Sequence, residues 1–120
     1  MSTLNLSLHK LPFDVMLTGE KDKEYRKPSK WIVSRLYNKD GTLKKYDVVK
    51  FVNGYGHDKP YFVCEYLGFE ICTRQFTDVY SNGFEVEVYA GDYIIKLGKV
   101  LHKGNIKWKE DSAARCYKVI

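Results

Sequence analysis

The sequence predicts an α+β fold, a small mixed β-barrel of about six strands with one short helix after the first strand. Several segments alternate apolar and polar residues, or are rich in β-branched and aromatic side chains, as is typical of strands. One segment near the start has helical spacing instead. The chain has 120 residues, 44% of them hydrophobic, and no long linker or internal repeat interrupts it. We therefore expect a single domain over residues 1–120.

The first strand and the helix are predicted in the first twenty residues. Leu4–Leu8 alternates between apolar and polar side chains, which indicates a half-buried strand. Helical spacing follows from Leu11, where Pro12 suits the first helical position and Asp14 the first turn. Gly19 fits a left-handed position after the helix. The buried stripe of this helix is predicted to consist of three apolar residues: Phe13, Met16 and Leu17.

The remaining elements are mostly strands. Residues 23–27 form a short strand candidate that Pro28 ends, whereas Trp31–Leu36 fits either a strand or a short buried helix. The dipeptide Asn82-Gly83 predicts a hairpin with a type I′ turn, because this turn needs two positive φ angles. Further strands are predicted at 46–53, 60–67, 84–89 and 93–97.

Composition narrows the classes of partner. The chain contains 20 Lys and Arg against 15 Asp and Glu, a net charge of +5, which favours a polyanionic partner. Three cysteines without CxxC spacing predict reduced thiols in a cytoplasmic protein. The three histidines are scattered with no two at ligand spacing, so we expect no metal site. No cofactor is expected. No apolar stretch reaches the roughly 18 residues of a membrane span, so no membrane partner is expected.

The most unusual segment lies between the helix and the next strand and is called the signature segment, residues 19–26. Period two places Glu24 and Arg26 on one face of a strand and Tyr25 on the other. The long side chain of Lys21 can bend over the same face as Glu24. On periodicity alone, this pattern is more typical of a solvated face with a weak surface ion pair.

Gly19, Lys21, Glu24 and Arg26 match the G-x-K-x-x-E-x-R motif, and in this respect the chain resembles the ASCH family. The resemblance covers about the first thirty residues, including the strand and helix before the motif. It implies a PUA-like fold, a cleft lined by the motif residues and an RNA-related role. Some small members of this family act as amidohydrolases on N4-acetylcytidine, and others have been associated with RNA cleavage.

A binding cleft would give these residues clear roles. Lys21 and Arg26 would bind phosphate or base oxygens, while Glu24 would accept from a base amine or hold Arg26 in place. The expected ligand is single-stranded RNA or a modified nucleoside or nucleotide, because exposed bases can stack on aromatic side chains. Arg35 is expected at the rim, and Tyr55 lies in a glycine-bearing loop that either closes over the ligand or simply connects two strands. Three aromatic residues are candidate stacking platforms: Tyr55, Trp31 and Tyr37.

Two alternatives remain open. A hydrolase would use Lys21 as a catalytic residue with Glu24 as its partner. The amidohydrolases have a threonine where this chain has Glu24, and this departure from their pattern argues against the same nucleophile chemistry. Their second catalytic carboxylate has several candidates here: Glu65, Glu70, Glu85 and Glu87. A protein-interaction module is the other alternative. A basic-aromatic stretch near the C-terminus would either extend an RNA footprint or only solubilise the chain: Lys103, Lys107, Trp108 and Lys109.

Overall fold

The computed structural model describes residues 1–106 and the backbone of residues 108–111 and 116–119. Within these ranges the chain forms two helices and nine strands. In chain order the elements are β1 (Thr3–Leu8), α1 (Lys10–Leu17), β2 (Lys23–Arg26), α2 (Lys30–Leu36), β3 (Val48–Asn53), β4 (Tyr61–Ile71), β5 (Phe76–Val79), β6 (Glu85–Val88), β7 (Tyr93–Gly104), β8 (Trp108–Asp111) and β9 (Cys116–Val119).

Five strands form one curled sheet in the order β1-β3-β4-β7-β2, which makes a half-barrel. The β1–β3 pair is parallel and the other pairs are antiparallel. Register shifts between Val63 and Phe69 interrupt the β4–β7 ladder, and such irregularities bend strands. The α+β class and the barrel-like curvature agree with the sequence prediction. The main sheet nevertheless has five strands, and its edge strands β1 and β2 leave an open seam.

The two helices lie in the connections from β1 to β2 and from β2 to β3. Helix α1 begins at Lys10, so Pro12 is its third residue and not its first. Asp14 is its fifth residue, and no acidic residue occupies the first turn. Asp14 instead pairs with Lys10 at 2.8 Å, four residues earlier. The ambiguous segment around Trp31 is helical, because Ser29 caps it by accepting a hydrogen bond from the backbone N–H of Ile32 at 3.1 Å.

The hairpin between β5 and β6 is confirmed, but its turn type was predicted wrongly. A type I′ turn would need a positive φ angle at Asn82, and Asn82 does not have one. The turn is therefore not type I′. Gly83 has φ +85° and its N–H donates to the carbonyl of Tyr80 at 3.1 Å. Tyr80 in turn donates its N–H to the carbonyl of Phe84 at 2.8 Å. This is the three-residue loop that pairs a β-turn with a left-handed glycine.

The main core fills the space between the curled sheet and the two helices. Alternate residues of the strands point into it, and from α1 it receives the predicted stripe Phe13, Met16 and Leu17, each at most 3% exposed. A second, smaller cluster of Cys72, Val88 and Ile94 packs with Tyr25 from β2. Strand β2 therefore lies between two apolar clusters, so the signature segment enters a packed region rather than a solvated face.

Candidate functional site

The signature segment is positioned by the end of α1 and by strand pairing. Gly19 has φ +87°, the left-handed conformation expected after a helix, and it reverses the chain. The N–H of Lys21 then donates to the carbonyl of Val15 at 3.0 Å. Strand β2 follows and pairs with β7, where Glu24 lies opposite Ile95. The predicted alternation holds, because Tyr25 joins the smaller apolar cluster while its two neighbours on the strand form ion pairs.

Lys21 is almost completely buried, with 3% of its surface exposed. Its ammonium donates to the carbonyl of Lys23 and to Oε1 of Glu24 at 3.2 Å, and it lies 3.9 Å from the sulfur of Met16. The ring centroid of Tyr25 is 4.9 Å away. Burial lowers the pKa of Lys21, and the attraction of Glu24 offsets only part of that effect. Lys21 is therefore an ammonium held in a poorly solvated position by one carboxylate.

Glu24 connects the two basic residues of the motif. Its Oε1 accepts from the Lys21 ammonium and from the backbone N–H of Tyr25, both at 3.2 Å. Its Oε2 accepts from Nε of Arg26 at 2.9 Å, and Nη2 of Arg26 lies at the same distance. Only 6% of Glu24 is exposed. The interpretation from periodicity alone, a weak ion pair on a solvated face, is therefore wrong. Of the two binding roles expected for Glu24, the geometry favours the positioning of Arg26.

Arg26 spans the open seam of the half-barrel. Its Nη2 donates to the carbonyl of Ser7 on β1 at 2.8 Å, while its Nε is held by Glu24 on β2. Among the described residues β1 and β2 are the edge strands of the sheet, and one guanidinium joins them. About 24% of the Arg26 side chain is exposed, and among the described residues its Nη1 has no hydrogen-bond partner. The guanidinium consequently offers free donors at the surface of the seam.

Two adjoining clefts open at this seam, each with a volume of about 530 Å³. Both are lined by Ser7, Arg26, Gly54 and Tyr55, so Arg26 lies where they meet. The first seam cleft is further lined by Leu8, His9, Pro12, Lys21, Glu24, Tyr25, Lys27, Phe84 and Val86. The second seam cleft is further lined by Asn5, Leu6, Trp31, Val52 and Gly56.

Two of the three aromatic platform candidates lie at the seam clefts. Tyr55 is 84% exposed and borders both, whereas Trp31 is 44% exposed and borders the second. Tyr37 packs instead against the rings of Phe69 and Tyr93, at centroid distances of 5.5 and 6.3 Å. Tyr37 therefore packs against the edge of the main core, away from the seam clefts. The seam combines one partly exposed guanidinium with two exposed aromatic rings.

Gly19 and Arg35 lie outside the lining of both seam clefts. Gly19 borders a smaller cavity of about 250 Å³ on another side of Lys21, together with Met16 and Cys64. Burial raises the pKa of the Cys64 thiol to about 12, so this thiol is protonated. Arg35 places its guanidinium 5.1 Å from the ring centroid of Trp31. Arg35 therefore contacts a residue that lines the second seam cleft but does not line that cleft itself.

The sequence analysis missed several residues that line the first seam cleft, among them Ser7, His9, Lys27 and Phe84. Ser7 contributes its backbone carbonyl, which no side-chain motif can reveal. Lys27 follows the motif directly but forms an ion pair with Asp92 at 2.8 Å. His9 and Phe84 are distant in sequence and are brought to the cleft by the approach of α1 and the β5–β6 hairpin. Their sequence context contained no signal for this placement.

The second catalytic carboxylate expected for a hydrolase is absent from the seam as described. Among the residues lining the two seam clefts, Glu24 is the one carboxylate. Glu65 instead accepts from the N–H of Lys99 at 2.8 Å, and Glu87 accepts from the Tyr89 hydroxyl. Of the basic-aromatic stretch, Lys103 is exposed on β7, while Lys107 and the side chains of Trp108 and Lys109 lie outside the described residues.

Comparison with known proteins identifies no relative: no family model matches the chain, and no curated protein or solved structure matches it either. In the part of the chain that the structure describes, no three His, Cys, Asp or Glu side chains are grouped so that they could hold a metal ion. Across the same residues, no helix has the length and apolarity needed to cross a membrane. The seam residues themselves are therefore the basis for assigning a function.

Proposed function

We propose that the seam clefts bind single-stranded RNA or a nucleotide-like ligand, and that the chain is an ASCH-type, PUA-like domain. The support for the family is the match at Gly19, Lys21, Glu24 and Arg26, now joined by a structure in which the last three form one hydrogen-bonded network. The support for the ligand is the chemistry of the seam. Cationic donors bind phosphate or base oxygens, and exposed rings bind bases by stacking.

One observation is the main support for this proposal: Arg26 has free donors at the junction of two clefts that are bordered by Tyr55 and Trp31. Glu24 and the Ser7 carbonyl already fix the guanidinium plane. A phosphate or base edge would meet a donor that needs little further ordering, which favours binding. Two clefts with one shared arginine suit two neighbouring nucleotides of a single strand.

Fluorescence anisotropy of a labelled single-stranded RNA tests the proposal. Tyr55→Ala is the sharpest variant, because Tyr55 is 84% exposed and its loss should not disturb the fold. Base–aromatic stacking contributes about 1–3 kcal/mol per base, so we expect affinity to fall about 5- to 150-fold. Leu67→Ala is the matched control, because Leu67 is a 58% exposed apolar residue that lines neither seam cleft.

The same titration should be repeated at several salt concentrations. Binding through phosphates weakens steeply as salt rises, and Arg26→Lys should reduce affinity because lysine lacks the planar fork that meets Glu24, Ser7 and the ligand together. Salt-independent binding, or equal affinities for Tyr55→Ala and Leu67→Ala, would refute the proposed function.

A second candidate function, hydrolysis, is favoured by the state of Lys21. Lys21 lines the first seam cleft, and burial lowers its pKa, so its ammonium loses a proton more readily than an exposed lysine does; the amine so formed would accept a proton from water. Water would add to the acyl carbon of N4-acetylcytidine as its proton passes to the Lys21 amine. Lys21 would then give that proton to the N4 nitrogen as the C–N bond breaks, so that acetate and cytidine are released. Chromatography of the nucleoside after incubation tests this directly. The control is Lys21→Met, whose folding is checked by circular dichroism. If wild type releases no more cytidine than this variant does, hydrolysis is rejected.

A further inference from the structure

The excess positive charge of the chain is concentrated in one short segment. Residues 27–45 contain six Lys and Arg and one Asp, a net charge of +5, which equals the net charge of the whole chain. The rest of the sequence is therefore balanced. Such a concentration creates a local positive potential that a neutral background does not dilute.

Four of these basic residues border a surface beside helix α2. The helix buries Ile32 and Leu36, and its opposite side borders a broad surface cleft of about 750 Å³. This α2 surface is lined by Lys30, Val33, Ser34, Arg35, Tyr37, Asn38, Lys39 and Lys44. Four of these eight residues are basic and none is acidic.

The charges of the α2 surface are not neutralised within the described part of the chain. Lys30, Arg35, Lys39 and Lys44 form no ion pair among residues 1–106. The acid of the segment, Asp40, accepts instead from the hydroxyl and N–H of Thr42, at 2.6 and 3.0 Å. Cationic side chains without an ion-pair partner can neutralise the phosphates of a nucleic acid. The counterions that the nucleic acid then releases favour binding.

One side-chain contact links the α2 surface to the second seam cleft. Trp31 lines that cleft together with Arg26 and Tyr55, and the guanidinium of Arg35 lies 5.1 Å from the centroid of the Trp31 ring. Arg35 itself lines the α2 surface. One stacked Arg–Trp pair therefore joins the two sites.

We propose that an RNA strand bound at the seam continues across Trp31 onto the α2 surface, where Arg35, Lys39 and Lys44 contact its backbone phosphates. The inference rests on the proposed function and adds a direction and a second part to the binding site. The seam would select single-stranded character by stacking bases. The α2 surface would add affinity that depends on charge and strand length but not on sequence.

The test compares two labelled RNAs of about three and about ten nucleotides, lengths chosen from the usual range of single-strand binding sites. In wild type, the longer RNA should bind more tightly and with the steeper salt dependence. Lys39→Gln/Lys44→Gln should weaken binding of the longer RNA, lower its salt slope by about 1.4 for two lost phosphate contacts, and leave the shorter RNA unaffected. Lys50→Gln/Lys99→Gln is the matched control, because it removes the same charge from β3 and β7 at residues that line neither the seam clefts nor the α2 surface.

The outcomes separate this inference from the proposed function. If the shorter RNA binds in a Tyr55-dependent manner but length adds nothing, or both double variants behave alike, the α2 surface is not part of the site while the seam proposal stands. If neither RNA binds, both proposals fail. Displacement of the longer RNA by poly-glutamate at equal charge concentration would overturn the inference by showing that the surface takes acidic polypeptides.

Discussion

Replacing Glu24 with glutamine should destabilise the protein far more than the loss of a surface ion pair would. Glu24 is 6% exposed and its carboxylate is the counter-charge of Lys21, which is 3% exposed. Glutamine keeps the shape and one acceptor but removes the charge. The Lys21 ammonium would then remain buried with the carbonyl of Lys23 as its main partner.

The size of the effect follows from the burial of Lys21. Removing one partner of a buried pair costs about 3–5 kcal/mol, because the other charge is left uncompensated. The penalty has an upper limit, since Lys21 can release its proton. Keeping a lysine of ordinary pKa 10.5 neutral at pH 7 costs about 5 kcal/mol, at about 1.4 kcal/mol per pH unit. We therefore expect Glu24→Gln to lower the free energy of unfolding by about 3–5 kcal/mol at pH 7.

The penalty should also depend on pH. The folded-state pKa of Lys21 is lowered, so the unfolded state holds this proton more tightly and folding becomes more favourable as pH rises toward 10.5. Attraction to Glu24 raises the folded-state pKa of Lys21, so its removal lowers that pKa further. The stability of Glu24→Gln should therefore begin to rise at a lower pH than that of wild type.

Urea unfolding followed by tryptophan fluorescence at several pH values between about 7 and 9.5 measures both effects. The control is Glu24→Gln/Lys21→Met, which removes both charges and should be much more stable than the single variant. A single-variant loss below about 1 kcal/mol, in the range of exposed pairs, or a loss that does not change with pH, would refute the argument that Lys21 is desolvated.

Three further perturbations follow from packing, capping and titration. Ser29→Ala removes the hydroxyl that caps α2 at the N–H of Ile32 and should cost about 1 kcal/mol in urea unfolding. Gly98→Ala should cost about 1–3 kcal/mol, because a Cβ would lie 2.8 Å from Oε1 and 2.9 Å from Cβ of Glu65; thermal melts that match wild type would contradict this. Burial and a hydrogen bond to Asp78 raise the pKa of Tyr25 in the folded state. The unfolded state therefore loses this proton first, and stability should fall above pH 10, as circular dichroism measured against pH would show.

Local patterns were enough to predict the elements around the site. The alternation of Leu4–Leu8 and the helical spacing of Phe13, Met16 and Leu17 both describe faces that are buried in the structure. Gly19 was predicted from the same local chemistry, because a left-handed residue after a helix is an intrinsic property of glycine. These features depend on neighbours within a few residues, which a sequence shows directly.

Features that depend on tertiary contacts could not be predicted in this way. The bond from Arg26 to the Ser7 carbonyl joins residues 19 positions apart through a backbone atom. The type of the Asn82-Gly83 turn was missed because two strands of fixed register, not the dipeptide, decided the loop length. The burial of Lys21 could not be predicted from the periodicity of the sequence either, since a charged residue in a turn is exposed in most proteins.

The network gives Arg26 two roles that depend on each other. Its bonds to Glu24 on β2 and to the Ser7 carbonyl on β1 link the two edge strands across the seam, and the same bonds fix the guanidinium that lines both clefts. A ligand that binds this guanidinium therefore also stabilises the link between β1 and β2, because ligand binding and the link require the same orientation of the Arg26 side chain. Binding and the rigidity of the β1–β2 edge must then be coupled, and each should strengthen the other by the same free energy.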